Sequence, residues 1–133
     1  MIVLDTHALL WLDQDSDMLG PKARQAISEA WRSSSVCVLS ISFWECSVLH
    51  QRQRILLPKT PEKWRLELLA IGIREISLTG SLALLAASLE NFHKDPADRF
   101  IVAGALSEKA RLVTADQAIL SWPGQLVRID AKT

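Results

Sequence analysis

The chain has 133 residues, 49% hydrophobic and 23% charged, with 15 basic and 15 acidic side chains that cancel. That profile fits one globular domain over residues 1–133 with a single core, and excludes a disordered tail or a fold too small to stand without staples. Zero net charge gives no global field that draws in nucleic acid, although an acidic pocket would offset a basic groove elsewhere.

An apolar run, Ile2-Val3-Leu4, predicts a first strand that stops at Asp5. Thr6 suits the cap of a helix carrying Ala8, Leu9, Trp11 and Leu12. After a polar connection from Asp13 to Gly20, Pro21 fits the first position of an amphipathic helix with Ala23, Ile27, Ala30 and Trp31. Residues 36–40 predict a second strand. Ser42-Phe43-Trp44-Glu45 begins a helix reaching about Gln53, and Ile55 to Pro58 is an apolar turn. Thr60-Pro61 starts a helix with Trp64, Leu68 and Leu69 on its buried stripe. A short strand over 73–78 precedes a Leu- and Ala-rich helix over 79–89, placed centrally or at a subunit contact. Residues 90–95 lead into an Asp95-Pro96 helix that runs to about Lys109. Strands at 112–114 and 126–129 close the pattern, which predicts α/β with a mostly parallel sheet.

The opening apolar run is too short for a signal peptide, and no stretch spans a bilayer, so the expected setting is cytoplasmic. Cys37 and Cys46 match no metal or redox spacing. Five tryptophans read as core packing before base stacking.

Acids punctuate the strand ends. Asp5 follows the first strand, Glu45 the second and Asp116 the fourth, while Asp95 and Asp98 open an apolar helix. In a parallel sheet these sites can converge at the carboxyl edge. Gathered carboxylates repel unless a cation binds or a proton is shared. Each acid also has a structural reading. Asp5 can be a helix cap, though Thr6 can do that work and leave Asp5 free. Ser42-x-x-Glu45 is a capping box, which the local sequence favours. Asp95 suits the cap before Pro96, and Asp98 falls on the first turn, where the helix dipole favours an acid whatever its function. Asp116 can cap a turn carrying Ala118 and Ile119, and the Thr114 hydroxyl stands beside it. Arg99 can pair with an acid or hold a phosphate. The acid set supplies oxygen only, which suits Mg²⁺ or Mn²⁺. His7 and His93 lie near acids but at no zinc spacing, and His50 reads as a helix-face residue.

The order of motifs resembles the PIN-domain nucleases, specifically the VapC toxins of bacterial type II toxin–antitoxin pairs. The matching segments are Leu4-Asp5-Thr6-His7-Ala8-Leu9-Leu10-Trp11, Ser42-Phe43-Trp44-Glu45, Asp95-Pro96-Ala97-Asp98-Arg99-Phe100 and Leu112-Val113-Thr114-Ala115-Asp116. The resemblance implies a three-layer α/β/α fold with four to five central strands, and a Mg²⁺- or Mn²⁺-dependent endoribonuclease acting through metal-activated water. It implies Asp5, Glu45, Asp98 and Asp116 as the acidic quartet, with Asp5 and Asp98 binding metal directly and Glu45 and Asp116 directly or through water. Thr6, Thr114 and Arg99 would support the ligands or the substrate. The basic stretch Arg52, Arg54, Lys59, Lys63 and Arg65 would help track RNA. It further implies a homodimer neutralised by a cognate antitoxin. Ala97 departs from the family, where a bulky aromatic is common between the two acids.

Two other classes remain open. A haloacid-dehalogenase-type phosphotransferase also begins with Asp after its first strand, but wants a second Asp two residues on, where this chain has His7. A degenerate domain would keep the fold as a binding module without catalysis.

Overall fold

The β-branched runs pair side by side in the computed structural model, which describes residues 1–133. The strands are β1 (Ile2–Leu4), β2 (Val36–Leu39), β3 (Arg74–Ile76), β4 (Arg111–Thr114) and β5 (Arg128–Asp130). They form one sheet in the order β3-β2-β1-β4-β5, with every neighbouring pair parallel. Ile2 stands opposite Val36 and Arg111, and Leu4 opposite Val38 and Val113. Both faces of β1 and β2 are covered, which explains why these strands are apolar throughout instead of alternating.

The connecting helices are α1 (Thr6–Asp13), α2 (Pro21–Arg32), α3 (Ser40–Gln51), α4 (Pro61–Ile71), α5 (Gly80–Ser88), α6 (Pro96–Ser107) and the short α7 (Gln117–Leu120). Strand pleating sends Ile2 and Leu4 into a core with Leu9 of α1, Ile27 of α2 and Leu68 of α4. Val3, Cys37 and Leu39 point the other way, into a core with Leu82 of α5 and Ile101 and Val102 of α6. The result is the expected α/β/α sandwich. Its α5 is central on one side only: Leu82 and Ala86 are buried, while Leu84 is 75% exposed.

Several boundaries differ from the sequence reading. The second strand ends at Leu39 because Ser40 enters α3, its hydroxyl donating to the Ile76 carbonyl at 3.1 Å. The third strand is shorter than 73–78. The last strand starts two residues late because Trp122 to Leu126 is a turn, held by the Arg128 guanidinium on the carbonyls of Trp122 and Gly124. Among the tryptophans, Trp64 and Trp122 are interior and Trp11 half-buried, but Trp31 and Trp44 are exposed at 38% and 61%.

Chain order places the site. From the central β1 the chain builds outward through β2 and β3, then returns to the other side of β1 for β4 and β5. The direction therefore switches between β1 and β4, and at such a point the carboxyl ends of the strands leave a crevice. Helix α6 reaches it by packing closely on β2: a Cβ added at Gly104 would stand 2.6–2.9 Å from the Leu39 side chain. Gly104→Ala should lower the unfolding free energy by about 1–2 kcal/mol, because overpacking costs about 1–3 kcal/mol and better helix propensity returns up to about 1. Urea titration checks this; unchanged stability would mean that Leu39 turns aside freely.

Candidate functional site

Asp5 leaves β1 at the switch point and ties three elements together. Its N–H donates to the Val113 carbonyl of β4 at 3.0 Å. One carboxylate oxygen accepts from the Ala8 N–H at 2.8 Å, and the other accepts from the Thr114 hydroxyl at 2.5 Å. Asp5 is therefore the cap of α1, and the expectation that Thr6 would cap it is corrected. Asp5 is nevertheless not withdrawn from the crevice. It lines a hollow of about 260 Å³ with His7, Trp11, Asp116 and Lys132. Each carboxylate oxygen has a second lone pair, so a capping bond does not exhaust it.

Thr6, released from capping, lies in the first turn of α1 with its hydroxyl donating to Glu45 at 2.5 Å. That contact corrects the capping-box reading of Glu45. Helix α3 begins earlier than Ser42, with Leu39 at the cap position and no side-chain cap bond, and Ser42 is buried inside the helix. Glu45 thus sits a turn and a half into α3 and reaches across to α1.

Asp95 does cap α6, accepting from the Ala97 and Asp98 N–H groups at 3.0 and 3.4 Å. Small Ala97 is buried beneath it. Asp98, on the first turn, stands close to Asp116, with the Asp95 charge also nearby. Asp116 caps α7 through one oxygen, which accepts from the Ala118 N–H at 2.8 Å, while its own N–H donates to the Thr114 hydroxyl at 3.1 Å. In each case the capping reading and the pocket reading hold together, because a carboxylate has two oxygens.

The electrostatics record the crowding. Burial, with Asp95, Asp116 and Glu45 nearby, pushes the Asp98 carboxyl up from 3.8 to about 8, and the adjacent Asp116 carboxyl favours a proton kept between the two. Burial also raises Asp5, against the hydrogen bonds from Thr114 and Ala8. Burial raises Glu45, against its bond from Thr6.

Two histidines join the acids without having been singled out by spacing. His7 lines both the Asp5 hollow and a neighbouring hollow of about 650 Å³ that holds Trp44, Glu45, Arg52 and Asp95. The His93 Nε2 lies 3.2 Å from an Asp98 oxygen. One donor atom each from His93, Asp98 and Asp116 fall within 4.8 Å of one another, the spread a metal ion can bridge. The signal for His93 was its place two residues before the Asp95 cap, which becomes meaningful only when the loop turns back over the helix mouth. Lys132 had no sequence signal.

Arg99 pairs with neither acid. Its guanidinium donates to the carbonyls of Ala86, Leu89, Phe92 and His93 at 2.9–3.2 Å. Those bonds occupy most of its N–H groups and staple the loop after α5 to α6. The basic stretch is also divided: Arg65 forms a two-pronged pair with Glu75, and Lys59 pairs with Glu67, leaving Arg52 as the member beside the acids.

These features define a doubly wound α/β protein whose crevice at the switch point is lined by carboxylates from four separate parts of the chain. The chain belongs to the PIN-domain family, which it matches over residues 2–122. It is 36% identical over 121 residues, 90% of each chain, to "Ribonuclease VapC22" of Mycobacterium tuberculosis (strain ATCC 25618 / H37Rv). Its fold is shared by a chain of a "Toxin-antitoxin complex from Klebsiella pneumoniae", with 20% identity, 98% of both chains covered and a TM-score of 0.67. It is also shared by a chain of VapBC2 from Rickettsia felis bound to a DNA fragment from their promoter, with 15% identity, 97% and 98% covered and a TM-score of 0.70.

A carboxyl whose folded pKa lies above its unfolded value holds its proton more tightly when folded. Its stabilising effect is complete below the unfolded pKa and disappears as pH rises through the folded one. For Asp98 that window runs from 3.8 to about 8. In EDTA, the melting temperature should therefore fall as pH rises from about 5 to about 8, and Asp98→Asn should flatten the fall. Asp95→Ala should cost about 1 kcal/mol at about pH 5, as a lost cap does, and less toward about pH 8, where loss of its charge also relieves Asp98. A wild-type melting temperature that is flat or rising over that span would show that Asp98 does not hold the proton.

Proposed function

We propose that the chain is a divalent-cation-dependent endoribonuclease that serves as the toxin of a toxin–antitoxin pair. The observation that carries this reading is the convergence of Asp5, Glu45, Asp98 and Asp116 on one crevice. The 36% identity to a relative named a ribonuclease, over 90% of both chains, supports RNA as the substrate class.

The residues fit a hard divalent cation. The pocket is rich in carboxylate oxygen, and the Asp98 and Asp116 carboxyls stand so close that they need either a proton or a cation between them. Asp5 and Asp98 would hold the ion, with Asp116 beside Asp98 as a third carboxylate. A divalent cation bound there supplies charge neutralisation for a scissile phosphodiester and makes attack by water feasible at neutral pH. Glu45 then acts on the protein's side of the chemistry. It is held by the Thr6 hydroxyl, and its raised pKa makes it a better proton acceptor than an ordinary glutamate. Thr114 orients Asp5, and the Asp5 burial that its hydroxyl offsets keeps the carboxylate fixed. Arg52, beside Glu45 and Asp95, offers a phosphate contact.

The purified protein should cleave single-stranded RNA with Mg²⁺ or Mn²⁺ and lose that activity in EDTA. Asp98→Asn should be inactive though folded, and Glu45→Gln should slow cleavage by about a hundredfold or more. Full cleavage in excess EDTA would overturn the metal mechanism. A folded, cation-binding protein with no cleavage of any RNA would favour the degenerate module.

The partners follow the same reading. An antitoxin and a second copy of this chain both need apolar surface, and the chain exposes Leu84 on α5 and Ile71 on α4, 75% and 63% accessible. Light scattering at tens of micromolar should give about twice the 14.8 kDa chain mass. A mass of one chain would count against the homodimer.

A further inference from the structure

The loop that brings His93 over the mouth of α6 is held by Arg99, which donates to the His93 carbonyl at 2.9 Å and to three carbonyls before it. Phe92 is fixed from the other side, edge-on to Trp122 with ring centroids 5.6 Å apart. The imidazole is thus carried on a braced backbone. Its Nε2 is shielded from solvent, in a side chain 34% exposed, and forms no hydrogen bond although the Asp98 carboxylate is 3.2 Å away. A buried nitrogen without a partner is costly and calls for an occupant. The place open to one lies between it, Asp98 and Asp116, whose donor atoms stand within 4.8 Å of each other.

We propose that His93 is a nitrogen ligand of the divalent cation in this site, and that the imidazole biases the site toward Mn²⁺ over Mg²⁺. The inference rests on the reading that the site takes a divalent cation, and adds a ligand that the acidic quartet does not contain. Mg²⁺ prefers an all-oxygen shell and rigid octahedral geometry, whereas Mn²⁺ accepts the same carboxylates and gains more from an imidazole. Asp98 and Asp116 offer oxygen within 4.8 Å of the His93 nitrogen, so His93 would complete a mixed nitrogen–oxygen ligand set. A plain ion pair between His93 and Asp98 is the competing account, and it places no nitrogen on the metal.

Pulsed electron paramagnetic resonance of the Mn²⁺-loaded full chain separates these accounts. The wild type should show ¹⁴N coupling from a directly bound imidazole, and His93→Gln should lose it. By isothermal calorimetry, His93→Gln should weaken Mn²⁺ binding by roughly tenfold or more, in line with other disrupted metal sites, and weaken Mg²⁺ binding far less. The chain has three histidines, so the double variant His7→Gln/His50→Gln leaves His93 as the sole imidazole. Its retained ¹⁴N signal assigns the ligand even if His93→Gln does not fold. Mn²⁺ bound at wild-type affinity with no ¹⁴N coupling, or a coupling lost in the double variant, would overturn the role of His93 and leave the metal reading standing. Failure of the wild type to bind either ion would remove the metal reading itself, and this inference with it.

Discussion

Mutual repulsion among carboxylates at one sheet edge is the constraint around which this molecule is arranged. Asp5 is 6% exposed, yet it sits beside Asp116 and within the field of Glu45. Burying it unpaired would be prohibitive, so both of its oxygens are satisfied, one by the first turn of α1 and one by Thr114. Those bonds fasten β1 to α1 and to β4 at the point where the chain reverses its direction of winding. The same contacts that make the acid tolerable hold the crevice open. Asp98 has no comparable set of donors, which is why the crowding is expressed there as a carboxyl pushed up to about 8.

The rest of the fold supports that edge. Helix α6 must bring Asp98 to the crevice with little freedom, and it does so on a run of fully buried residues from Ile101 to Ala105, with Gly104 allowing contact with Leu39 of β2. Arg99, one residue after Asp98, is turned backward to hold the preceding loop by its carbonyls instead of contributing charge to the site. A guanidinium aimed at the acids would relieve their repulsion. Keeping Arg99 out leaves the repulsion among the carboxylates in place.

The sheet was legible from sequence because parallel strands covered on both faces must be apolar runs, and each such run here ends at a chemically distinctive residue. The Asp95-Pro96 start of α6 was equally readable, since a cap followed by proline is a local signal. Local signals misled where the partner was distant. Ser42 and Glu45 have the spacing of a capping box, but buried Ser42 lies inside α3 and the Thr6 hydroxyl, 39 positions away, claims the glutamate. Asp outranks Thr as a cap by propensity, and Asp5 holds that position while its second oxygen accepts from Thr114. Arg99 does not pair with an acid; it binds nearby carbonyls of a loop whose path no local pattern specifies.

His93 shows the limit most clearly. Nothing in the spacing of the three histidines suggests a metal ligand, and a lone histidine before a helix cap is ordinary. Its significance depends on three non-local facts: the loop folds back over the α6 mouth, Asp116 arrives from β4, and Asp98 lies between them. Acids at strand ends announce themselves because the fold class dictates where strand ends go. A residue delivered by a loop has no such rule behind it, and His93 becomes visible only as an unpaired nitrogen beside Asp98 and Asp116 in the finished structure. A search confined to the acidic quartet therefore recovers what strand ends and helix starts position, and passes over His93, carried by the loop that Arg99 holds in place.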